Sequence, residues 1–189
     1  MVEGRAVRSV CVFCGSRPGA DPAFALAAAA MGAAVARRGL TLVYGGAKVG
    51  LMGALADAAL AAGGRVVGIM PRALVQREVA HDGLAELFVT ESMHDRKDRM
   101  IQISDAFVSL PGGFGTFDEA FEVLTLAQIG LHAKPSAFLN VKGYFTPLAT
   151  LMEHTIASGF ADRAHDHLFH FDDDVERLLD TLVAWRPRS

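Results

Sequence analysis

The sequence predicts an α/β fold, a doubly wound Rossmann-like parallel sheet with helices on both faces. Three observations predict it. Short runs of Val, Ile, Leu and Phe alternate with Ala- and Leu-rich stretches in a βαβα rhythm. The strand-type runs are apolar throughout, the pattern of strands that helices cover on both sides. Gly and Pro punctuate the junctions, and no long linker or low-complexity tract intervenes.

Each element follows from local chemistry. Val7 to Cys14 reads as the first strand. Asp21-Pro22 supplies an N-cap and an N1 proline for a helix to about Arg38, with Gly39 at C′. Leu40 to Tyr44 is a second strand, Gly50 to Ala62 a helix closed by Gly63-Gly64, and Arg65 to Met70 a third strand stopped by Pro71. Residues 72 to 84 are mixed and charged. Leu87 to Thr90 reads as a short strand, Asp95 to Ser104 as a helix, and Ala106 to Leu110 as another strand. A helix is expected from about Phe117 to Ile129, a strand at Ser136 to Asn140 and a helix at Thr146 to Ser158. The stretch His165 to His170 reads as a surface loop running into a short strand, and Asp174 to Ala184 closes the chain.

Composition narrows the function. At about 100–200 residues per domain, 189 residues predict a single Rossmann-like domain, residues 1–189. Eighteen Lys plus Arg against 21 Asp plus Glu, a formal charge of −3, is too balanced for a nucleic-acid or anionic-membrane partner. Mean hydropathy is +0.29, but Arg37, Arg38, Asp57 and Arg65 interrupt the apolar stretches before the ~18 residues a membrane span needs. The run Val10 to Phe13 is too short for a secretory leader, so a cytoplasmic protein is expected. Cys11 and Cys14 form a lone C-x-x-C inside a strand, where i and i+3 point to opposite faces, so they read as buried hydrophobes.

Ligands of such sheets bind beyond the carboxyl ends of the strands, and four turns there stand out. They are Gly15-Ser-Arg-Pro-Gly19, Tyr44 to Gly53, Glu91 to Met100 and Pro111-Gly-Gly-Phe-Gly-Thr-Phe-Asp-Glu119. Glycines let backbone amides approach a ligand, and a helix start behind them favours an anion. The two glycine turns imply a phosphorylated small molecule, although Gly45-Gly46 is equally explained by the φ > 0 a tight turn demands. Neither turn is a P-loop or a dinucleotide fingerprint, which points to a mononucleotide. Thr116 and Glu119 form a T-x-x-E pattern that on its own favours a capping box over catalysis. Against that, Arg96, Lys97 and Arg99 fall in the first turn of their expected helix, where the macrodipole disfavours cations. A bound anion would resolve the conflict, as would Asp95 and Asp98 acting as local partners. The histidines show no metal-ligand spacing, so no metal is expected, and Ser16 suits a hydrogen-bond donor at the first turn.

At these residues the chain resembles the LONELY GUY proteins, cytokinin riboside 5′-monophosphate phosphoribohydrolases long labelled possible lysine decarboxylases. Residues 111–119 match their PGGxGTxxE signature. Cys11 to Ser16, Tyr44 to Gly53, Arg77 to His81, Met93 to Lys97 and Ala127 to His132 match further blocks in order, over roughly residues 9–160. Ala47 departs from the pattern, since many members carry a third glycine there.

The resemblance implies hydrolysis of the N-glycosidic bond of N6-substituted adenosine 5′-monophosphates, with AMP as a simpler substrate. It also implies no cofactor and a homodimer with the site near the subunit boundary. Carried over by position, the catalytic pair falls on Arg96 and Glu119, and substrate contacts fall on Glu78, Lys97, Thr125 and the loop of Gly113, Phe114, Gly115, Thr116, Phe117 and Asp118. Gly112, Gly113, Gly115 and Thr116 are expected to hold the 5′-phosphate, with Gly45, Gly46 and Ser16 as further contacts. Two rivals remain: a non-catalytic nucleotide or cofactor carrier on the same fold, and a pyridoxal-phosphate decarboxylase, for which Lys97 is the one lysine in a plausible position.

Overall fold

The computed structural model describes residues 6–75 and 80–186. Among them, β1 (Ser9–Phe13), β2 (Thr41–Tyr44), β3 (Val66–Pro71), β4 (Glu86–Thr90), β5 (Ala106–Ser109), β6 (Ser136–Leu139) and β7 (Phe169–Asp172) form one parallel sheet. Its spatial order is β4-β3-β2-β1-β5-β6-β7. Central β1 is paired on both sides, Val10 standing opposite Leu42 of β2 and Ala106 of β5. The chain runs outward from β1 to one edge, returns to lay β5 on the other side of β1, and runs outward again. Its switch point therefore lies between the ends of β1 and β5.

The helices are α1 (Pro22–Arg37), α2 (Gly50–Ala61), the single turn α3 (Arg72–Val75), α4 (Met93–Ile103), α5 (Phe114–Gln128), α6 (Thr146–Ala157) and α7 (Val175–Ala184). Helices α1, α2 and α7 bury Met31, Val35, Leu55 and Leu179 against one face of the sheet. Helices α4 and α5 bury Met100 and Val123 against the other, with Cys11, Phe13, Val43, Ile69 and Phe107. Strand alternation thus sends Cys11 and Cys14 into different clusters, both as buried free thiols, and burial pushes both well above the usual thiol range. Helix α1 starts as its sequence dictates: the Asp21 side chain accepts from the Ala23 amide at 2.8 Å, and Pro22 follows it.

Two helix starts differ from the sequence reading, and both bear on function. Helix α4 opens at Met93, two residues early, because Ser92 takes the N-cap and accepts from the Asp95 amide at 3.0 Å. Arg96 and Lys97 therefore lie beyond the three N-terminal residues, where the macrodipole has less hold on them. Helix α5 opens at Phe114, three residues early, with Gly113 as an N-cap that has no side-chain bond. Thr116 is then N3 and Glu119 N6, so no capping box forms between them. Pro71 does not stop β3 but ends it, paired in register with Thr90; β2 pairs with β3 only as far as Gly68, so no neighbour there needs the missing amide. Residues of the expected 165–170 loop form 3₁₀ turns (Arg163–Leu168) leading into β7.

Candidate active site

A cleft of about 610 Å³ opens at the switch point, within the range of small-molecule sites. Gly15 to Gly19 line one part of it, Pro111 to Thr116 another, and Met52, Leu74 and Met93 add apolar surface. Arg96 and Glu119 also line it, each no more than a tenth exposed.

These two side chains reach each other from different helices. Arg96 Nη1 donates to Glu119 Oε1 at 2.6 Å, and Arg96 Nε donates to the carbonyl oxygen of Ile69 at 3.0 Å. The carbonyl anchors the guanidinium to β3, so its direction is set by the sheet and not by a mobile loop. Burial pushes the Glu119 carboxyl above the usual glutamate range, and the Arg96 charge opposes that rise. The pair supplies a fixed carboxylate in a partly dry cleft, suited to stabilising a developing cation. Removing one partner of such a buried pair leaves an uncompensated charge, at a cost of about 3–5 kcal/mol.

The glycine turns divide in role. Gly113 and Gly115 line the cleft, and a Cβ at either would touch nothing within 4 Å. The Thr116 amide already donates to the Gly113 carbonyl at 3.0 Å, but the Phe114 and Gly115 amides precede the first intrahelical bond and no side chain caps them, so this end is open to an anion. Gly112 is a packing glycine, because a Cβ there would sit 2.1 Å from Thr116 Oγ1. Gly45 and Gly46 do not line the cleft. A Cβ at Gly45 would come 2.5 Å from Arg96 Nη2 and 2.8 Å from Met52 Sδ, so Gly45 makes room for the guanidinium. Gly46 has φ +83, the conformation a tight turn needs.

Other expected site residues are placed as follows. Ser16, Phe114, Thr116 and Asp118 line the cleft; Lys97, Phe117 and Thr125 do not. Lys97, one residue past Arg96, is turned about 100° around α4 and pairs with Glu122 at 2.8 Å and Asp118 at 3.0 Å. These carboxylates, Glu122 foremost, hold its ammonium above the usual lysine range. Arg96 and Lys97 are thus compensated by acids of α5 and not by Asp95 and Asp98, and the Arg99 guanidinium stands 4.7 Å from the Phe88 ring centroid. Phe117 stacks on Tyr144, and Thr125 is exposed on α5 with its hydroxyl donating to the Phe121 carbonyl. Glu78 lies outside the described residues. None of Lys48, Lys97, Lys134 and Lys142 lines the cleft. Among the described residues no group of three or more His, Cys, Asp or Glu could hold a metal ion, and no helix is long and apolar enough to cross a membrane.

Sequence reasoning left out Arg17 and Tyr144, both of which line the cleft. Tyr144 donates its hydroxyl to the Gly112 carbonyl and so braces the glycine turn from the loop after β6. No periodicity or motif in its own neighbourhood marks that role. Arg17, by contrast, stands in a turn already singled out, and a cation beside a phosphate-type turn is a readable signal.

A family model described as possible lysine decarboxylase matches residues 52–182. The cytokinin riboside 5′-monophosphate phosphoribohydrolase of Rhodococcoides fascians is 51% identical over 154 residues, 81% of this chain and 78% of that protein. The cytokinin riboside 5′-monophosphate phosphoribohydrolase LOG5 of Arabidopsis thaliana is 39% identical over 180 residues, 95% of this chain and 79% of that protein. Among solved structures, the molybdenum cofactor carrier protein of Chlamydomonas reinhardtii matches with a TM-score of 0.72 at 21% identity, covering 95% of this chain and 99% of that one. That likeness shows the Rossmann-type fold and nothing further. With relatives of this identity aligned along most of its length, the chain belongs to the LONELY GUY family of phosphoribohydrolases.

Proposed function

We propose that this chain hydrolyses the N-glycosidic bond of cytokinin riboside 5′-monophosphates, and of AMP, giving the free base and ribose 5-phosphate. The observation that carries this reading is the Arg96–Glu119 pair, at 2.6 Å, lining a cleft that also contains the uncapped end of α5. The C1′–N9 bond breaks with its electron pair leaving on the purine, so positive charge develops at C1′ and the ring oxygen. The Glu119 carboxylate stabilises that charge and orients the water that adds to C1′. A proton from this water is released and the departing base gains one, so the sum is hydrolysis. Arg96 keeps Glu119 ionised despite its burial and holds it in direction; a guanidinium is a poor proton donor. Phosphate binding at Gly113 to Thr116 locks the ribose in register. The apolar surface of Met52, Leu74 and Met93 suits a purine and its N6 substituent, methionines being adaptable to differing shapes.

The chain acts as a homodimer in this reading. Phe121, Thr125 and Ile129 are four residues apart on one exposed stripe of α5, with Phe121 42% and Ile129 63% exposed. Thr125, expected to contact substrate yet outside the cleft of its own chain, would reach a cleft only across such an interface. Sedimentation analysis should give twice the chain mass, and a monomer at micromolar concentration contradicts the dimer.

Incubation with N6-isopentenyladenosine 5′-monophosphate and with AMP, followed by assay of free base and ribose 5-phosphate, tests the activity. Release of both products in equal amounts is expected. No release from either nucleotide would leave a carrier on the same fold as the better reading.

A further inference from the structure

Catalysis by Arg96 and Glu119 leaves the charge balance of the cleft incomplete. Its lining holds four side chains of ordinary acid or base character: Arg17, Arg96, Asp118 and Glu119. Arg96 and Glu119 neutralise each other, and Asp118 is engaged by Lys97 at 3.0 Å. Arg17 is exposed and has no carboxylate partner among the described residues.

Its backbone is nevertheless held closely. The Gly15 amide donates to the Pro111 carbonyl at 3.1 Å, and the Leu51 amide donates to the Gly15 carbonyl at 3.0 Å. A Cβ on Gly15 would lie 3.1 Å from the Arg17 carbonyl oxygen and 3.3 Å from Gly112 Cα. On the other side, Gly50 (φ +58) leaves no room for a Cβ, which would come 2.6 Å from the Arg17 amide nitrogen. The turn that carries Arg17 is thus clamped between the start of α2 and the Gly112 turn that leads into α5.

A phosphate monoester carries about −1.5 to −2 charges at neutral pH, whereas a helix N-terminus offers roughly +0.5. Helix α5 has neither a capping side chain nor an acidic residue in its first turn to compete for that end. About one positive charge is still missing, and a guanidinium, which can donate two N–H groups to two phosphate oxygens, fits it. We propose that Arg17 clasps the 5′-phosphate of the substrate against the N-terminus of α5 and thereby makes the site select nucleotides over nucleosides. This inference rests on the proposed hydrolysis of nucleoside monophosphates.

The test uses the full chain and its Arg17→Ala, Arg17→Lys and Arg17→Glu variants. Steady-state kinetics are measured on AMP, N6-isopentenyladenosine 5′-monophosphate and the two nucleosides, and ribose 5-phosphate binding is measured by calorimetry. Losing a charge-assisted bond predicts a rise in KM for the monophosphates of roughly 10- to 100-fold in the Ala variant. Lys should recover part of this, Glu should be worse than Ala, and kcat should fall by less than KM rises. The nucleotide-to-nucleoside ratio of kcat/KM should drop in step. Wild-type ribose 5-phosphate affinity should tighten between about pH 5 and 7, as the phosphate takes its second charge, and the Ala variant should flatten that rise. Unchanged KM and unchanged ribose 5-phosphate affinity in an Ala variant that melts like wild type would overturn the inference while leaving the hydrolase standing. If wild type releases no base, the hydrolase reading fails instead, and ribose 5-phosphate titration alone decides Arg17; no binding to wild type, or equal binding to the variants, overturns it.

Discussion

The β2–α2 turn and the β5–α5 turn look alike as sequence, each a cluster of glycines between a buried strand and a helix, yet they serve opposite needs. In the first, glycine is required by what packs onto it: Gly45 by the Arg96 guanidinium, and Gly50 by the backbone of Ser16 and Arg17. In the second, Gly113 and Gly115 face open space at the cleft, and only Gly112 is packed, beneath Thr116. The lesson is that a glycine cluster marks close approach without saying what approaches. In one turn it is the protein's own machinery, and in the other there is room for a ligand.

The comparison can be broken most forcefully at the group the first turn shelters. Arg96→Ala should lower kcat by about 10³-fold or more and destabilise the fold by about 3–5 kcal/mol, because Glu119 is left buried without its partner. Turnover assays and denaturant unfolding read the two effects; near-wild-type kcat would remove Arg96 from the mechanism. Gly45→Ala should act on the same group indirectly. With Arg96 Nη2 and Met52 Sδ in the way of the added methyl, it should lower kcat roughly 100-fold and stability by about 1–3 kcal/mol. A variant that keeps full activity would show that Arg96 does not need its observed position.

The second turn should answer differently. Gly115→Ala lies in helix α5 with space around it, so it should leave stability unchanged or raise it by up to about 1 kcal/mol. It should nonetheless raise KM for nucleotides by about 10-fold, because the methyl occupies the open end where the phosphate is proposed to bind. A gain in Tm with unchanged KM would move the phosphate elsewhere.

The smallest effect is in pH. Glu119 titrates above the usual glutamate range when folded, so its contribution to stability is complete at acid pH, below the unfolded value, and is lost as pH rises through the folded value. Wild type should therefore lose stability relative to Glu119→Gln across that window. Activity, which needs the ionised carboxylate, should show an acid limb of kcat/KM above the usual glutamate range. Removing the opposing Arg96 charge should move that limb higher still.

The fold was legible because its signals are local and strong. Asp21-Pro22, Gly39 and the apolar runs at β1, β3 and β5 act through neighbours in sequence. The candidate site was legible as motifs but not as geometry. The T-x-x-E pattern mimicked a capping box, because sequence discounts a glycine such as Gly115 as a helical residue, although Gly113 is the true cap. Arg96 and Lys97 read as misplaced, because Ser92 is not evident in the sequence as the start of α4 and their acidic partners lie more than 20 residues onward on α5. The brace from Tyr144 to Gly112 spans 32 residues and leaves no local trace.

The most direct test of the central claim is Glu119→Gln, since glutamine keeps the shape and an acceptor for Arg96 Nη1 while removing the charge. Glu119 is N6 of α5 and caps nothing, so the variant should fold and still bind AMP with near-wild-type affinity by calorimetry. Its single-turnover release of ribose 5-phosphate should fall by about 10³-fold. A folded, AMP-binding Gln variant that cleaves at the wild-type rate would contradict the account and reduce the buried pair to a structural one.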